Sequence, residues 1–435
     1  MKYPFISKHL HIPWVRNSRS AFIWNMIGSG CNATMTFVLM LCITRFCDVE
    51  ACGIFSIGFA IAQLMWTIGM FEEGTYQVTD ATGKFTFPQY TAFKIISCAL
   101  MMIISPIYII YMHLSLYKGF IAFLLCLFKM TDAASNLYFS LFQQHSRLDI
   151  SGFSMTVRVV LSMVVIALTL WFTGSLSLAI TIAIIISVLW IMLFEINYSK
   201  RLAPIKPDFN KSAMRSIFIE CLPLFISTFI INYIYNIPKY SIEMFFDDTS
   251  QAYFNYVYSV AFVMNLFSLF ALKPMQTKLT EYWNSYEDDK FKSTVLKISI
   301  IMGVASCVLA IFFAFFGPQI LGLFYGVDLS IFNLSFFLVL LGGGVSAIVN
   351  VFYNALTVMR LQKFLVFGYV VSAFVSSLAS KYVVSIWGVL GACWMFIISM
   401  FLILVTFILI FFIGFKRKNL ISNFISHIFK NFSDK

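Results

Sequence analysis

The chain has 435 residues, a formal charge of +11, 60% hydrophobic residues and 11% charged residues. Its mean hydropathy is +0.88. Soluble domains carry about 25% charged residues. The composition therefore excludes a soluble enzyme, a disordered chain and a nucleic-acid binder. The positive charge lies in short pieces between long apolar runs, which is the pattern of a polytopic membrane protein.

Lys2, Lys8, Arg16 and Arg19 precede the first apolar run. That run is too long for the apolar core of a signal peptide and reads as a first transmembrane helix. A helix needs about 20 apolar residues to cross the hydrocarbon core. Twelve runs qualify: 21–44, 52–71, 92–112, 119–142, 153–173, 175–197, 216–238, 251–273, 294–316, 332–356, 364–384 and 386–413. The fold class predicted is all-α, with twelve transmembrane helices in two six-helix bundles. The bundles are expected over 1–200 and 201–435, divided near the basic loop 198–215. The tail, about 416–435, is expected to be an amphipathic helix on the cytoplasmic leaflet, because apolar residues at helical spacing follow Lys416, Arg417 and Lys418.

Charge fixes the orientation. With the N-terminus in the cytoplasm, inner segments hold 25 basic residues, Lys94 and Arg158 among them. Outer segments hold 4: Arg45, Lys118, Lys239 and Lys381, with Lys129 alone inside a span. Both termini are therefore expected in the cytoplasm. The outer loops are short, and none is large enough for a catalytic domain. Nine cysteines without a CxxC pair, and five histidines without ligand spacing, indicate neither a disulfide framework nor a metal site. Cys47 and Cys52 bracket one short loop and are close enough in sequence to pair.

Polar residues inside the apolar runs are the candidate site. In the fourth run Lys129, Asp132, Asn136, Ser140 and Gln143 fall on one helical face. Asp132 is the only carboxylate that reads as mid-membrane. Asn25 and Asn32 share a face of the first run. Thr228, Asn232 and Asn236 do so in the seventh, with Lys239 after them. One reading is a polar cavity wall. The other is hydrogen bonding between packed helices, and for Lys129 with Asp132 an ion pair within one helix. Internal similarity between Asp48–Ala60 and Asp247–Ser259, at an offset near 200, suggests a parallel repeat with a substrate site between the halves.

The stretch Cys52-Gly-Ile-Phe-Ser-Ile-Gly-Phe-Ala-Ile-Ala-Gln-Leu64, Thr67-Ile-Gly-Met-Phe71 and Tyr76-Gln77-Val-Thr-Asp80 resembles the Wzx-like oligosaccharide flippases. These form the polysaccharide transporter family of the multidrug/oligosaccharidyl-lipid/polysaccharide exporter (MOP, MATE-like) superfamily. Asn236-Ile-Pro238-Lys239-Tyr240-Ser-Ile-Glu243 resembles a second segment of that family. Where many relatives have an arginine before the Tyr-Gln-Val-Thr-Asp stretch, this chain has Glu72-Glu73-Gly74.

The resemblance implies movement of an undecaprenyl-diphosphate-linked oligosaccharide across the bacterial cytoplasmic membrane by alternating access, for O-antigen or another surface polysaccharide. It implies no enzymatic activity and no cofactor, and leaves proton or sodium coupling unassigned. The partners it implies are the lipid-linked oligosaccharide, membrane lipids, a polysaccharide polymerase and chain-length proteins, with no nucleic acid. Lys129 is then expected to touch the diphosphate or sugar in transit, and Arg45 and Lys239 to act near the outer opening. The alternative is a multidrug or organic-cation exporter of the same superfamily, which would be expected to bind cations with carboxylates in an apolar cavity, where this chain offers only Asp132, three residues from Lys129.

Overall fold

A computed structural model describes residues 18–80, 83–261, 264, 268 and 278–433. Every regular element among them is helical, as the bilayer demands: with no water to bond the backbone, only helices and closed barrels can span it. The helices are α1 (Ser18–Phe46), α2 (Val49–Met70), α3 (Glu73–Thr79), α4 (Phe87–Tyr111), α5 (Leu116–Gln144), α6 (Leu148–Thr173) and α7 (Leu176–Trp190). The last continues through a π turn, Ile191–Glu195, to Ser199. Then come α8 (Lys211–Phe245), α9 (Asp248–Tyr258), α10 (Asp288–Tyr325), α11 (Asn333–Val358) and α12 (Gln362–Ser433).

Local chemistry sets the ends. The Thr86 N–H donates to Gln89 Oε1 at 3.1 Å where α4 starts. Gly174, at φ 60, ends α6, and its N–H donates to Leu170 O at 2.8 Å. Ser175 Oγ then accepts from the Leu178 N–H at the start of α7. Asp247 caps α9, accepting the Ser250 N–H at 2.9 Å.

Among the described residues, ten helices are long and apolar enough to cross a membrane, against twelve expected over the chain. Two features account for the difference. The runs 364–384 and 386–413 form one 52-residue stretch, Phe364–Phe415, which breaks at Gly388 (φ 52, ψ −129) into two arms. The run 251–273 is described as α9, and most of its remainder lies outside the described residues. The side chains of the expected amphipathic tail, 416–435, also lie outside them, although the helix itself runs to Ser433. The chain is a multi-pass membrane protein.

Two compact units emerge. The first holds Met1–Cys47 and Ile61–Phe225, the second Asp48–Ala60 and Ile226–Lys435. The sequence division at 200/201 falls inside the first unit. There α1 lies directly on α6. A Cβ on Gly28 would meet Gly152 O and the Met155 methyl, and one on Gly152 would meet the Asn25 N. Small residues let two backbones approach in lipid, where dispersion replaces the hydrophobic effect as the force between helices. Part of the polar face of α1 is therefore a packing seam.

Serines join the second unit. Ser306 of α10 donates to Leu340 O of α11 at 2.8 Å, and Ser372 donates to Ser399 O across the two arms of α12 at 2.9 Å. The two stretches noted as an internal repeat meet here. Gly53 of α2 abuts the backbone of Asp248 in α9 so closely that no Cβ would fit.

Candidate functional site

The polar face of α5 organises the first unit. Lys129 Nζ lies 2.9 Å from Asp132 Oδ2, and the guanidinium of Arg158 lies 2.5 Å from Asp132 Oδ1. One carboxylate thus bridges two cations, and each contact is a charge-assisted hydrogen bond. Lys129 and Arg158 are buried. Arg158 is a helical residue of α6, not a loop cation. The inner-segment count placed it wrongly, and Lys94 with it, since Lys94 is buried inside α4.

Glu195 completes the cluster from the π turn of α7. The Trp190 indole N–H donates to Ser154 Oγ at 2.9 Å, and Ser154 donates to Glu195 Oε1 at 2.8 Å. Glu195 is fully buried and interacts electrostatically with Arg158. Asp132 is therefore not the only carboxylate at membrane depth. A signal for this existed in the sequence: Ser154, Arg158 and Ser162 stand four apart, a second polar face matching that of α5. The Ser162 hydroxyl of that face lies 3.1 Å from the Ser187 hydroxyl of α7.

A second buried pair lies where α2 turns into α3. Phe71 and Glu72 have φ of 42 and 59, the left-handed region that L residues rarely adopt. The turn delivers Glu73 to Lys94 at 2.5 Å, while Lys94 Nζ also donates to Gly69 O at 3.0 Å. Burial pushes the Glu73 carboxyl up to about 7, against the opposing pull of Lys94. Lys94 of α4 supplies a cation beside the stretch where the sequence lacks an arginine. Gly74 fits against Asn136 and Ser140 of α5, at a spot where a side chain would overlap both. Gln77 is buried and donates to Gln144 Oε1 at 3.4 Å. Asp80 accepts from the Lys84 N–H at 3.1 Å, and from the Phe85 N–H and the Tyr90 hydroxyl at 3.3 Å. These motif residues tie α3 to its neighbours.

Other expected residues of this unit are scattered. Asn25 is half-buried beside Gly152, while Asn32 is exposed. Gln143 is exposed near the end of α5, and Arg45 is exposed in the last turn of α1. None of the nine cysteines is in a disulfide, Cys47 and Cys52 included, and Cys47 Sγ donates to Gly174 O at 3.3 Å.

The second unit carries a different polar face. Along α8, Asn232 Nδ2 donates to Thr228 O and Asn236 Nδ2 to Asn232 O, both at 2.9 Å. These bonds leave the amide oxygens as acceptors. Lys239 lies six residues inside the helix end and rests on the Tyr258 ring, 5.1 Å from its centroid. It does not close the span, as the sequence had suggested. Pro238 is buried within the helix, Tyr240 donates to Ala60 O at 3.3 Å, and Glu243 is half-buried. The Tyr235 and Ser346 hydroxyls are 3.0 Å apart. Amides, phenols and one cation thus line a single helix face.

No protein-family model matches the chain, and no curated protein resembles it significantly in sequence. Solved structures do resemble it in fold. An inward-facing multidrug-resistance MATE transporter of the MOP superfamily matches with TM-score 0.63 and 12% identity, over 90% of this chain and 96% of that one. The Vibrio cholerae MATE transporter VcmN in its bent form matches with TM-score 0.54 and 13% identity, over 92% and 98%. A MOP superfamily transporter from Pyrococcus furiosus, described as having a binding pocket of reversed polarity, matches with TM-score 0.53 and 12% identity, over 92% and 94%. The chain has the MATE fold over nearly its whole length.

Proposed function

We propose that the protein is a flippase of lipid-linked oligosaccharides, moving an undecaprenyl-diphosphate-linked repeat unit across the bacterial cytoplasmic membrane for O-antigen or another surface polysaccharide. The MATE fold, shared with transporters at low identity, supports a transporter. The motif resemblance supports the substrate class. The observation that carries the choice between substrates is the pairing of the buried carboxylates in the first unit. Glu73 sits on Lys94, Asp132 lies between Lys129 and Arg158, and Glu195 feels Arg158. An organic-cation exporter needs an anion to offer its cargo, and here each of these three already faces a cation. In the second unit Asn232, Asn236 and Lys239 offer what a sugar phosphate requires: amide acceptors and donors for hydroxyls, and a cation for phosphate.

In this reading Lys239 meets the phosphate, and Lys129 holds the first unit together until a competing anion draws it from Asp132. Arg45 belongs to the outer opening. A polymerase and chain-length proteins would take up the product. The test is reconstitution of the full chain in vesicles carrying a lipid-linked oligosaccharide. A membrane-impermeant glycosidase reports the oligosaccharide that has crossed. Protein-dependent crossing is expected. No crossing, together with protein-dependent flux of an organic cation, would overturn the proposal in favour of an exporter.

A further inference from the structure

Two helix seams built on glycine treat their polar groups differently. In the first unit α1 lies on α6 at Gly28 and Gly152, and the Thr156 hydroxyl beside them donates to Gly152 O at 2.7 Å. In the second unit α2 lies on α9, where Gly53 abuts the backbone of Asp248. Gln251 stands one helical turn beyond Asp248, and Ser56 one turn beyond Gly53. Gln251 is wholly buried and Ser56 is 3% exposed. Neither the amide nitrogen nor the amide oxygen of Gln251 has a hydrogen-bond partner among the described residues, and neither has the Ser56 hydroxyl.

The bonds made around these groups go elsewhere. Asn255 Nδ2 donates to the main-chain Gln251 O at 2.8 Å, Asp247 Oδ1 accepts the Ser250 N–H, and the Tyr240 hydroxyl donates to Ala60 O. The seam therefore sets two forces against each other. Close approach over glycine gains dispersion contacts. Burying an amide and a hydroxyl without bonds forfeits what water gives them. Separating the helices lets both groups bond again. The connectivity of α2 suits this, because Asp48–Ala60 belongs to the second unit while the helix from Ile61 onward belongs to the first.

We propose that Gln251 and Ser56 keep the α2–α9 seam reversible, so that the first half of α2 separates from α9 and returns during transport. A protein with two such arrangements populates both when their free energies are close. The unbonded amide brings them close by raising the energy of the closed seam. An apolar side chain of the same length would remove that penalty and hold the seam shut. The proposal rests on the transporter reading but on no particular cargo, and its test uses none.

The test is a double electron–electron resonance distance measurement on the full chain in lipid nanodiscs, with spin labels at Glu50 and Thr249, near the starts of the two helices. Labels carried on a ketone-bearing amino acid leave the nine cysteines untouched. The wild type is expected to show two distances, seam closed and seam open. Gln251→Met keeps the length of the side chain and removes its amide. It should raise the closed-to-open ratio about fivefold or more. Ser56→Ala should move the ratio the same way, and it decides the matter if Gln251→Met misfolds. A single distance in the wild type would overturn the proposal. So would a ratio left unchanged, or shifted toward the open seam, in a folded variant.

Discussion

Glu73 and Lys94 form an ion pair of 2.5 Å in which only 0% and 4% of the two side chains is exposed. Burying two charges is costly, and the pair holds because each offsets the other. The left-handed turn at Phe71 and Glu72 commits backbone strain to bring Glu73 there. The strained turn and the buried pair thus serve one purpose, anchoring α3 against α4 and α5.

This pair makes stability depend on pH. The Glu73 carboxyl stands at about 7 in the folded protein, above its ordinary 4.5. Between those values the folded state binds more protons than the unfolded one, so stability falls as pH rises through the window. Lys94→Met should destabilise the protein by about 3–5 kcal/mol at pH 8, where Glu73 is ionised and loses its partner. At pH 5.5, where Glu73 is neutral, the loss should be much smaller. Thermal unfolding in detergent at both pH values checks this, and equal losses would contradict it.

Asp132 holds two cations, so its removal should cost more than the removal of either one. Asp132→Asn should destabilise by at least about 3–5 kcal/mol. Arg158→Gln combined with Asp132→Asn should be less damaging than the two single losses added together, because the double variant leaves one buried cation unpaired and not two. A double-mutant cycle read by chemical denaturation measures the coupling, and simple additivity would refute it.

Two glycines of α1 separate packing from propensity. Gly28 is pressed against α6, whereas a Cβ on Gly30 meets nothing within 4 Å. Gly30→Ala should stabilise by about 0.5–1 kcal/mol. Gly28→Ala should destabilise by about 1–3 kcal/mol through overpacking. Melting temperatures of the two variants should move in opposite directions.

The ring beneath Lys239 should matter to transport. A cation on an aromatic face is held by about 0.5–2 kcal/mol, or about two- to thirtyfold. Tyr258→Leu should reduce oligosaccharide crossing by that range, while Tyr258→Phe should stay near the wild type. Lys239→Ala should fall further than Lys239→Arg. Crossing rates that do not distinguish Phe from Leu at position 258 would remove the ring from the mechanism.

Much of the fold was legible because the membrane imposes it. Apolar runs and charge alternation located most of the helices without any knowledge of packing. The ends were harder: α8 extends to Phe245, so Lys239 lies within a helix and not at its close. Lys129 and Asp132 were legible as a pair because they share a helix. Arg158 and Glu195 reach Asp132 and Ser154 from separate helices, and helix pairing is not written in local periodicity. Arg158 was also misread because a positive charge near a run's end looks like a loop residue to a rule that counts charges by segment. Lys94 was misread for the same reason, and its partner Glu73 lies on a short helix too small to show as a run.

Gly388 also governs where this stretch ends. A straight helix over the 52 residues of Phe364–Phe415 would measure about 78 Å, more than twice the hydrocarbon thickness of about 30 Å. The positive φ of Gly388 folds the stretch back on itself, so that Gly414 lies against Leu361, where the stretch began. Were the turn lost, those two ends would stand a full helix length apart. Their closeness thus rests on the backbone freedom of a single residue.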